Sequence, residues 1–370
     1  MSSGKPMAMT SPFYRHLRSH ILPVRPSQYD ITSVCNLKCE GCFFFSGPDY
    51  VGHDEVHDLA FVDAFFAGER ERGINYAEVA GAEPSLAPRK LAAMARHIPR
   101  GVIYTNGTRV IPREIHYRLQ VSLWALPEQS RRLRGADIVA RQLRNYRNDD
   151  RAVFVFTINR LNVDTILAVT QLCADAGVRL TFNHFSPTES YQERPASPDD
   201  RRDEYFRFST QDENLLLGQD DLRRSRDAID RALDLYPETV VYSRRFNAWI
   251  HRPAGLHRTD PATGVAIDCA GRLNGGYRHF HVDLTSADGA KCPTPNIACA
   301  TCRCYAQSLG TALHRSVKTA LRYDGGEEMM DYWRLWCRLF VYDKELERLI
   351  GDPDPHDRLP GHGGPVHAAL

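Results

Sequence analysis

Residues 35–45 read CNLKCEGCFFF, three cysteines spaced C-x3-C-x2-C that run straight into three phenylalanines. The segment just before them, Tyr29 to Val34, is a short β-branched run that ends at the first cysteine. The thiols are therefore expected on a loop at the C-terminal end of a strand. A structural zinc site usually takes four ligands, commonly as two pairs. Neither His53 nor His57 stands at a zinc-finger spacing from these cysteines. A cubane iron–sulfur cluster has four iron corners, so three cysteines on one loop hold three irons and leave the fourth open. A zinc site or unliganded thiols are the alternatives.

Outward from this loop, strand and helix patterns alternate. Tyr76–Ala80, Gly101–Thr105, Leu119–Leu123, Ala152–Ile158 and Arg179–His184 read as further strands. Helical periodicity falls between them, over Asp54–Arg72, Leu91–His97, Ala136–Tyr146 and Val163–Ala176. Six strands alternating with helices imply a parallel sheet with helices packed on it, as a partial or full barrel. In such folds the chemistry sits at the C-terminal strand ends. Beyond residue 185, Ser186–Glu204 reads as a loop, Asp221–Leu235 as a helix and Thr239–Tyr242 as a strand. Glu327–Ile350 reads as one helix with an apolar face.

The chain has 370 residues and a formal net charge of +1, which gives no bulk electrostatic case for nucleic acid or an anionic membrane as partner. No apolar run approaches the roughly 18 residues of a membrane span. The segment MSSGKPMAMTSP lacks the apolar stretch of a signal peptide. A cytoplasmic location follows as the expectation. In a reducing compartment, clustered cysteines point to metal ligands rather than disulfides. Of ten cysteines, Cys173 and Cys337 stand alone in helix-like stretches and read as small buried hydrophobes.

Cys35-Asn36-Leu37-Lys38-Cys39-Glu40-Gly41-Cys42 resembles the signature of the radical S-adenosylmethionine (SAM) superfamily. Three later segments extend the resemblance in the family's order. Ala80-Gly81-Ala82-Glu83-Pro84 resembles its Gly-Gly-Glu-Pro motif, Ile103–Thr108 its Thr-Asn-Gly ending, and Val121-Ser122-Leu123 its fourth-strand serine segment. The resemblance spans residues 25–190. It implies an α/β fold, a partial (β/α)6 radical SAM barrel with a C-terminal cysteine-rich extension. It implies a [4Fe–4S] cluster held by Cys35, Cys39 and Cys42, whose open iron chelates SAM. Reductive cleavage of SAM then yields a 5′-deoxyadenosyl radical that takes a hydrogen atom from the substrate, with an external electron donor such as flavodoxin or ferredoxin. Gly81, Ala82, Glu83, Pro84, Thr105 and Asn106 are the implied SAM-binding positions. Glu83 suits the methionine ammonium. Ser122 and Asn159 are candidates for ribose or carboxylate contacts. Two departures from the pattern stand out. Gly41 occupies a position that is often aromatic in the family; Phe43 or Phe44 is a candidate for the ring beside adenine, and the plainer reading is that these phenylalanines wall the cluster from water, which also tunes its potential. Ala82 replaces the second glycine.

Cys269, Cys292, Cys299, Cys302 and Cys304 form a second group, which resembles the SPASM or twitch extensions that hold auxiliary iron–sulfur clusters. Asp288–Pro293 fits that style. Four ligands suffice for one auxiliary [4Fe–4S] cluster: Cys269, Cys292, Cys299 and either Cys302 or Cys304. A zinc site and no metal are the alternatives. His279 and His281, on an expected strand between ligands, read as structural. Asn183 and His184 end the sixth strand and are the expected catalytic residues at the barrel mouth. Arg134, before the fourth helix, and Arg160, after the fifth strand, are weaker candidates for an anionic substrate. No N-terminal cobalamin-binding domain is apparent, which argues against cobalamin-dependent methylation, and no clear peptide-recognition domain, which slightly favours a small-molecule substrate over a peptide. The expected organisation is an N-terminal extension (1–24), the core barrel (25–190), a helical connection (191–260), the cysteine-rich region with a C-terminal helix (261–350) and a disordered tail (351–370). The expected activity is hydrogen abstraction from a biosynthetic intermediate, ending in oxidation, epimerisation or rearrangement. A peptide maturase and a zinc-stabilised binding protein are the alternatives.

Overall fold

Seven parallel strands make one sheet in the order β6-β5-β4-β3-β2-β1-β7. They are β1 (Pro26–Asp30), β2 (Tyr76–Ala80), β3 (Gly101–Thr105), β4 (Arg118–Leu123), β5 (Ala152–Ile158), β6 (Leu180–His184) and β7 (His279–Phe280). The computed structural model describes residues 11–46, 52–196, 204–273, 277–286, 292, 297–322 and 326–351. The expected tail beyond Gly351, residues 1–10 of the N-terminal extension, and Asp288–Lys291 with Pro293 lie outside the described residues.

The first six strands follow each other in space as in sequence, the pattern of a series of βα units. The fold class is therefore α/β, as expected, with one strand more than the six counted from sequence. β7 comes from the last third of the chain and pairs with β1 through Gln28↔His279 and Tyr29↔Phe280. β6 and β7 do not pair, so the sheet curls without closing. At the β6 edge, Thr239–Tyr242 does not form a full strand. Val241 N–H donates to Leu180 O and Leu180 N–H donates to Thr239 O, at 2.7 and 2.8 Å. That pair of bonds satisfies part of an otherwise open edge.

Helices cover the outer face. Leu59–Glu71 starts where the Asp58 carboxylate caps Ala60 N–H at 2.9 Å. The helix expected over Ala136–Tyr146 forms as Val139–Tyr146, and an additional helix, Pro127–Arg134, precedes it and ends at Gly135 in the left-handed region at φ 79°. A short helix, Glu189–Glu193, interrupts the expected loop after β6.

The expected single helix over Glu327–Ile350 breaks into Gly326–Phe340 and Lys344–Gly351. Asp343 causes the restart, because its carboxylate accepts from Glu345 and Leu346 N–H. The carbonyls freed at the break are used by the barrel floor. Gln120 donates to Leu339 O, Tyr76 to Phe340 O and Arg118 to Val341 O, at 2.8, 2.6 and 2.6 Å. The helix end thus plugs the N-terminal mouth of the sheet with its carbonyls satisfied. No helix among the described residues is long and apolar enough to cross a membrane.

Candidate active site

Side chains alternate along a strand, so every second residue faces the inside of the curled sheet. Gln28 and Asp30 of β1, Glu78 and Ala80 of β2, Tyr104 of β3, Gln120 and Ser122 of β4, Val155 and Thr157 of β5 and Asn183 of β6 all line one cavity of about 300 Å³. Cys35, Cys39 and Cys42 form part of the same lining, at the C-terminal ends of the strands.

The cysteine loop is held from both sides. Glu55 accepts from Thr32 Oγ1, Ser33 N–H and Ser33 Oγ at 2.8 to 2.9 Å and pairs with Lys90 at 2.5 Å, which fixes the chain just before Cys35. Burial alone would raise the Glu55 carboxyl, yet the donors from Lys90, Ser33 and Thr32 win and bring it down to about 2. Glu40, between the second and third cysteines, is buried. It accepts from Arg207 N–H at 2.8 Å and Ser209 Oγ at 2.5 Å. Gly41 sits at φ 61°, and a Cβ there would lie 2.8 Å from the Tyr191 ring and 3.0 Å from Phe185. That crowding is the physical reason an aromatic side chain is excluded at this position. Phe43 lines the cavity instead.

The donor set suits thiolates. Arg134 Nε–H points at Cys39 Sγ at 3.3 Å, and Leu37 N–H at Cys35 Sγ at 3.4 Å. Burial raises the Cys35 thiol and pushes Cys42 up to about 12. Both are therefore neutral at physiological pH until a metal compensates the charge.

The second and third loops close around Glu83. Gly81, at φ 102°, brings its backbone so near β1 that a Cβ would meet Thr32 O at 2.9 Å. Ala82 and Glu83 then donate their N–H groups to Thr32 and Val34 carbonyls. Ala82 needs no positive φ, so the missing glycine costs nothing in backbone strain. The buried Glu83 carboxylate accepts from Thr105 Oγ1, Asn106 N–H and Ser85 N–H at 2.6, 2.6 and 3.0 Å. A carboxylate offers about four acceptor positions. Among the described residues no cationic side chain forms an ion pair with Glu83. Asn106 ties this loop to the cysteines, donating to Asn36 Oδ1 at 2.8 Å.

The other expected site residues divide. Gly81, Ala82, Glu83, Thr105, Asn106, Ser122, Phe43 and Asn183 line the cavity. His184 does not. As Asn183's neighbour on β6 it points to the opposite face, where its Nε2 lies 2.9 Å from His251 Nε2 among the outer helices. Asn159 is also outside the lining, with its Oδ1 spent on Leu161 N–H in a turn. Pro84 begins a short 3₁₀ turn behind Glu83. Arg134 ends one helix, just ahead of the one over Val139–Tyr146, and is buried over Trp124. Arg160 is exposed.

Sequence reasoning missed Gln28, Asp30, Glu78, Gln120 and Tyr305, all in the lining. For the first four the signal was there, polar residues at alternate positions of strands otherwise made for a core; Tyr305 begins the helix over Tyr305–Arg322 and carried no such signal. Burial raises the Glu78 carboxyl to about 7, although Tyr277 Oη donates to it at 2.9 Å. Gln120 Oε1, Tyr305 Oη and Gln307 Oε1 are buried at this cavity without a hydrogen-bond partner among the described residues. Orphaned polar atoms around one cavity are what a polar ligand would satisfy.

All five C-terminal cysteines line a second, small cavity of about 20 Å³. Burial raises the thiols of Cys269, Cys302 and Cys304, the last to about 11. As neutral thiols they pack like small apolar groups. Anything larger than one ion there must part them. Cys304 and Phe43 line both cavities, and Cys302 only the second.

No protein-family model and no curated protein matches the chain. Among solved structures it is similar to native anSMEcpe with bound AdoMet, at 13% identity and a TM-score of 0.48, over 73% of this chain and 75% of that one. It is similar to Streptococcus suis SuiB bound to S-adenosylmethionine, at 14% identity and a TM-score of 0.46, over 73% of this chain and 61% of that one. A third is native anSMEcpe with bound AdoMet and Cp18Cys peptide, at 14% identity and a TM-score of 0.47, over 85% of this chain and 87% of that one.

Proposed function

We propose that the chain is a radical SAM enzyme that cleaves S-adenosylmethionine reductively and abstracts a hydrogen atom from a small polar substrate. The observation that carries this reading is the buried Glu83 carboxylate, fixed by three donors but, among the described residues, by no cation, in the same cavity as Cys35, Cys39 and Cys42. When bound, a [4Fe–4S] cluster on those three thiolates supplies the electron that splits SAM into methionine and a 5′-deoxyadenosyl radical. This chain's residues do the rest. Glu83 receives the methionine ammonium and Arg134 steadies the Cys39 sulfur. Phe43 and Phe44 shield the thiols from water, which also sets the cluster's potential. Asn183 and Gln120 present polar groups to the substrate. Glu78, held near neutrality by burial, is suited to exchange a proton with it. Cys269, Cys292 and Cys299 with Cys302 hold an auxiliary cluster, and Cys304 is the fifth thiol, shared with the main cavity.

The orphaned polar atoms of Gln120, Tyr305 and Gln307 in the lining favour a small polar molecule, or one polar side chain of a peptide. A flavodoxin or ferredoxin would supply the electron. The test is 5′-deoxyadenosine formation from SAM by the anaerobically reconstituted, dithionite-reduced protein beside Cys39→Ala. Product from the wild type alone supports the reading. Iron-loaded protein that yields no product and shows no SAM-dependent change in its cluster's paramagnetic resonance overturns it. Zinc without acid-labile sulfide would favour a binding protein.

A further inference from the structure

Asp30, His279 and His281 form a separate polar group at the cavity wall. Parallel pairing of Tyr29 with Phe280 sets it up. Those two rings stack on the helix-covered face of the sheet, with centroids 5.5 Å apart. By alternation, Asp30, His279 and His281 take the opposite face, the one on which Asp30 lines the cavity. Asp30 Oδ2 is 2.8 Å from His279 Nε2 and 4.0 Å from His281 Nδ1. One carboxylate oxygen and two ring nitrogens thus lie within 4.8 Å of one another, and all three residues are buried.

The surroundings fix this arrangement. The His53 ring stacks on His281 at 4.0 Å, and His53 Nδ1 lies 2.7 Å from Asp283 Oδ2. The turn after His281 is closed by Leu284 N–H to His281 O at 2.9 Å. Leu284 sits at φ 63° and is, among the described residues, the one non-glycine in the left-handed region. A leucine is strained in that region, and the surrounding contacts must outweigh the strain.

We propose that Asp30, His279 and His281 hold a single divalent transition-metal ion. Two imidazoles and a carboxylate suit manganese, ferrous iron or zinc. The ion would take the place of the direct 2.8 Å contact between Asp30 and His279. Three protein ligands leave coordination positions open, and Asp30 puts them on the cavity side, where an oxygen donor of a substrate can fill them. The site uses no thiol and stands whether or not the iron–sulfur reading holds.

Manganese(II) is the probe, because thiolates favour softer metals. Full-length protein with its thiol sites reconstituted is titrated with manganese(II), and the loss of the free-ion resonance is followed. One ion per chain is expected, with affinity at least about 10-fold weaker in Asp30→Asn and in His281→Gln. Binding should be unchanged in Cys292→Ala. Absence of binding to the wild type overturns the proposal, and so does equal binding by either folded variant. Pulsed resonance on the wild-type complex needs no variant. Nitrogen couplings from imidazole are expected, and their absence also overturns it.

Discussion

Cys35, Cys39 and Cys42 come from one loop of eight residues, 35–42, while the other five thiols are gathered from residues 269–304. The first loop is clamped at each step: Glu55 before it, Glu40 within it, Asn106 across from it. The second group packs with Ala266, Ile297 and the Phe43 ring, and is tied by Arg303 N–H to Ser186 Oγ at 2.9 Å, Tyr305 N–H to Asn183 Oδ1 at 3.1 Å and Ala270 N–H to Thr311 Oγ1 at 2.9 Å. Polar clamps fix positions before any metal arrives. The difference teaches that the first group is set locally, within one loop, whereas the second, closed around about 20 Å³, is set by segments brought together from far along the chain.

The largest effect should break the two apart. Cys39→Ala should lose about half the iron and all SAM cleavage, whereas Cys299→Ala should lose about half the iron and keep the SAM-dependent resonance change. Iron and sulfide analysis beside that spectrum checks both. If either substitution empties both sites, the two are not independent. Next comes Glu83→Gln, which removes the charge but keeps the shape. SAM affinity should fall about 10- to 100-fold, the worth of about 1.5–3 kcal/mol for hydrogen bonds to a charged group. Equilibrium binding to the reconstituted protein measures it, and unchanged affinity would remove Glu83 from the site.

Gly41→Ala tests the preorganised loop without touching a ligand. The positive φ and the 2.8 Å approach to Tyr191 should cost about 1–3 kcal/mol of stability, read from denaturant unfolding. The smallest effect concerns acid. Glu55 is lowered in the folded state, to about 2. Its contribution is complete above the unfolded value of about 4.3 and is lost as pH falls towards 2. Glu55→Gln should therefore lose less stability than the wild type across that window, in thermal melts at stepped pH.

Much of the first region was legible because its information is local. The C-x3-C-x2-C spacing, Glu83 and the Thr105-Asn106-Gly107 turn each sit at a strand end that the βα rhythm marks. Asn183 and His184 show where such reading fails. Both close β6, yet strand alternation sends one into the cavity and the other to His251. A shift of one residue in the assumed face exchanges them. β7 was legible only as a short stretch, since two residues carry no periodicity. Its partner Tyr29 is a long way back in the chain. The break at Val341–Asp343 was hidden for another reason: the apolar stripe runs on through it, and the Asp343 cap is one residue in a long amphipathic pattern.

The pairing of β7 with β1 also sets a timetable for synthesis. Asp30 leaves the ribosome 249 residues before His279. At usual translation rates of about 5–20 residues per second, that gap lasts roughly 10 to 50 s. Throughout it, one edge of β1 has no partner strand, and the cysteine loop begins just beyond that edge. The nascent chain carries its first three thiols beside an incomplete sheet for much of its own manufacture, and any ligand that takes them competes with oxidation.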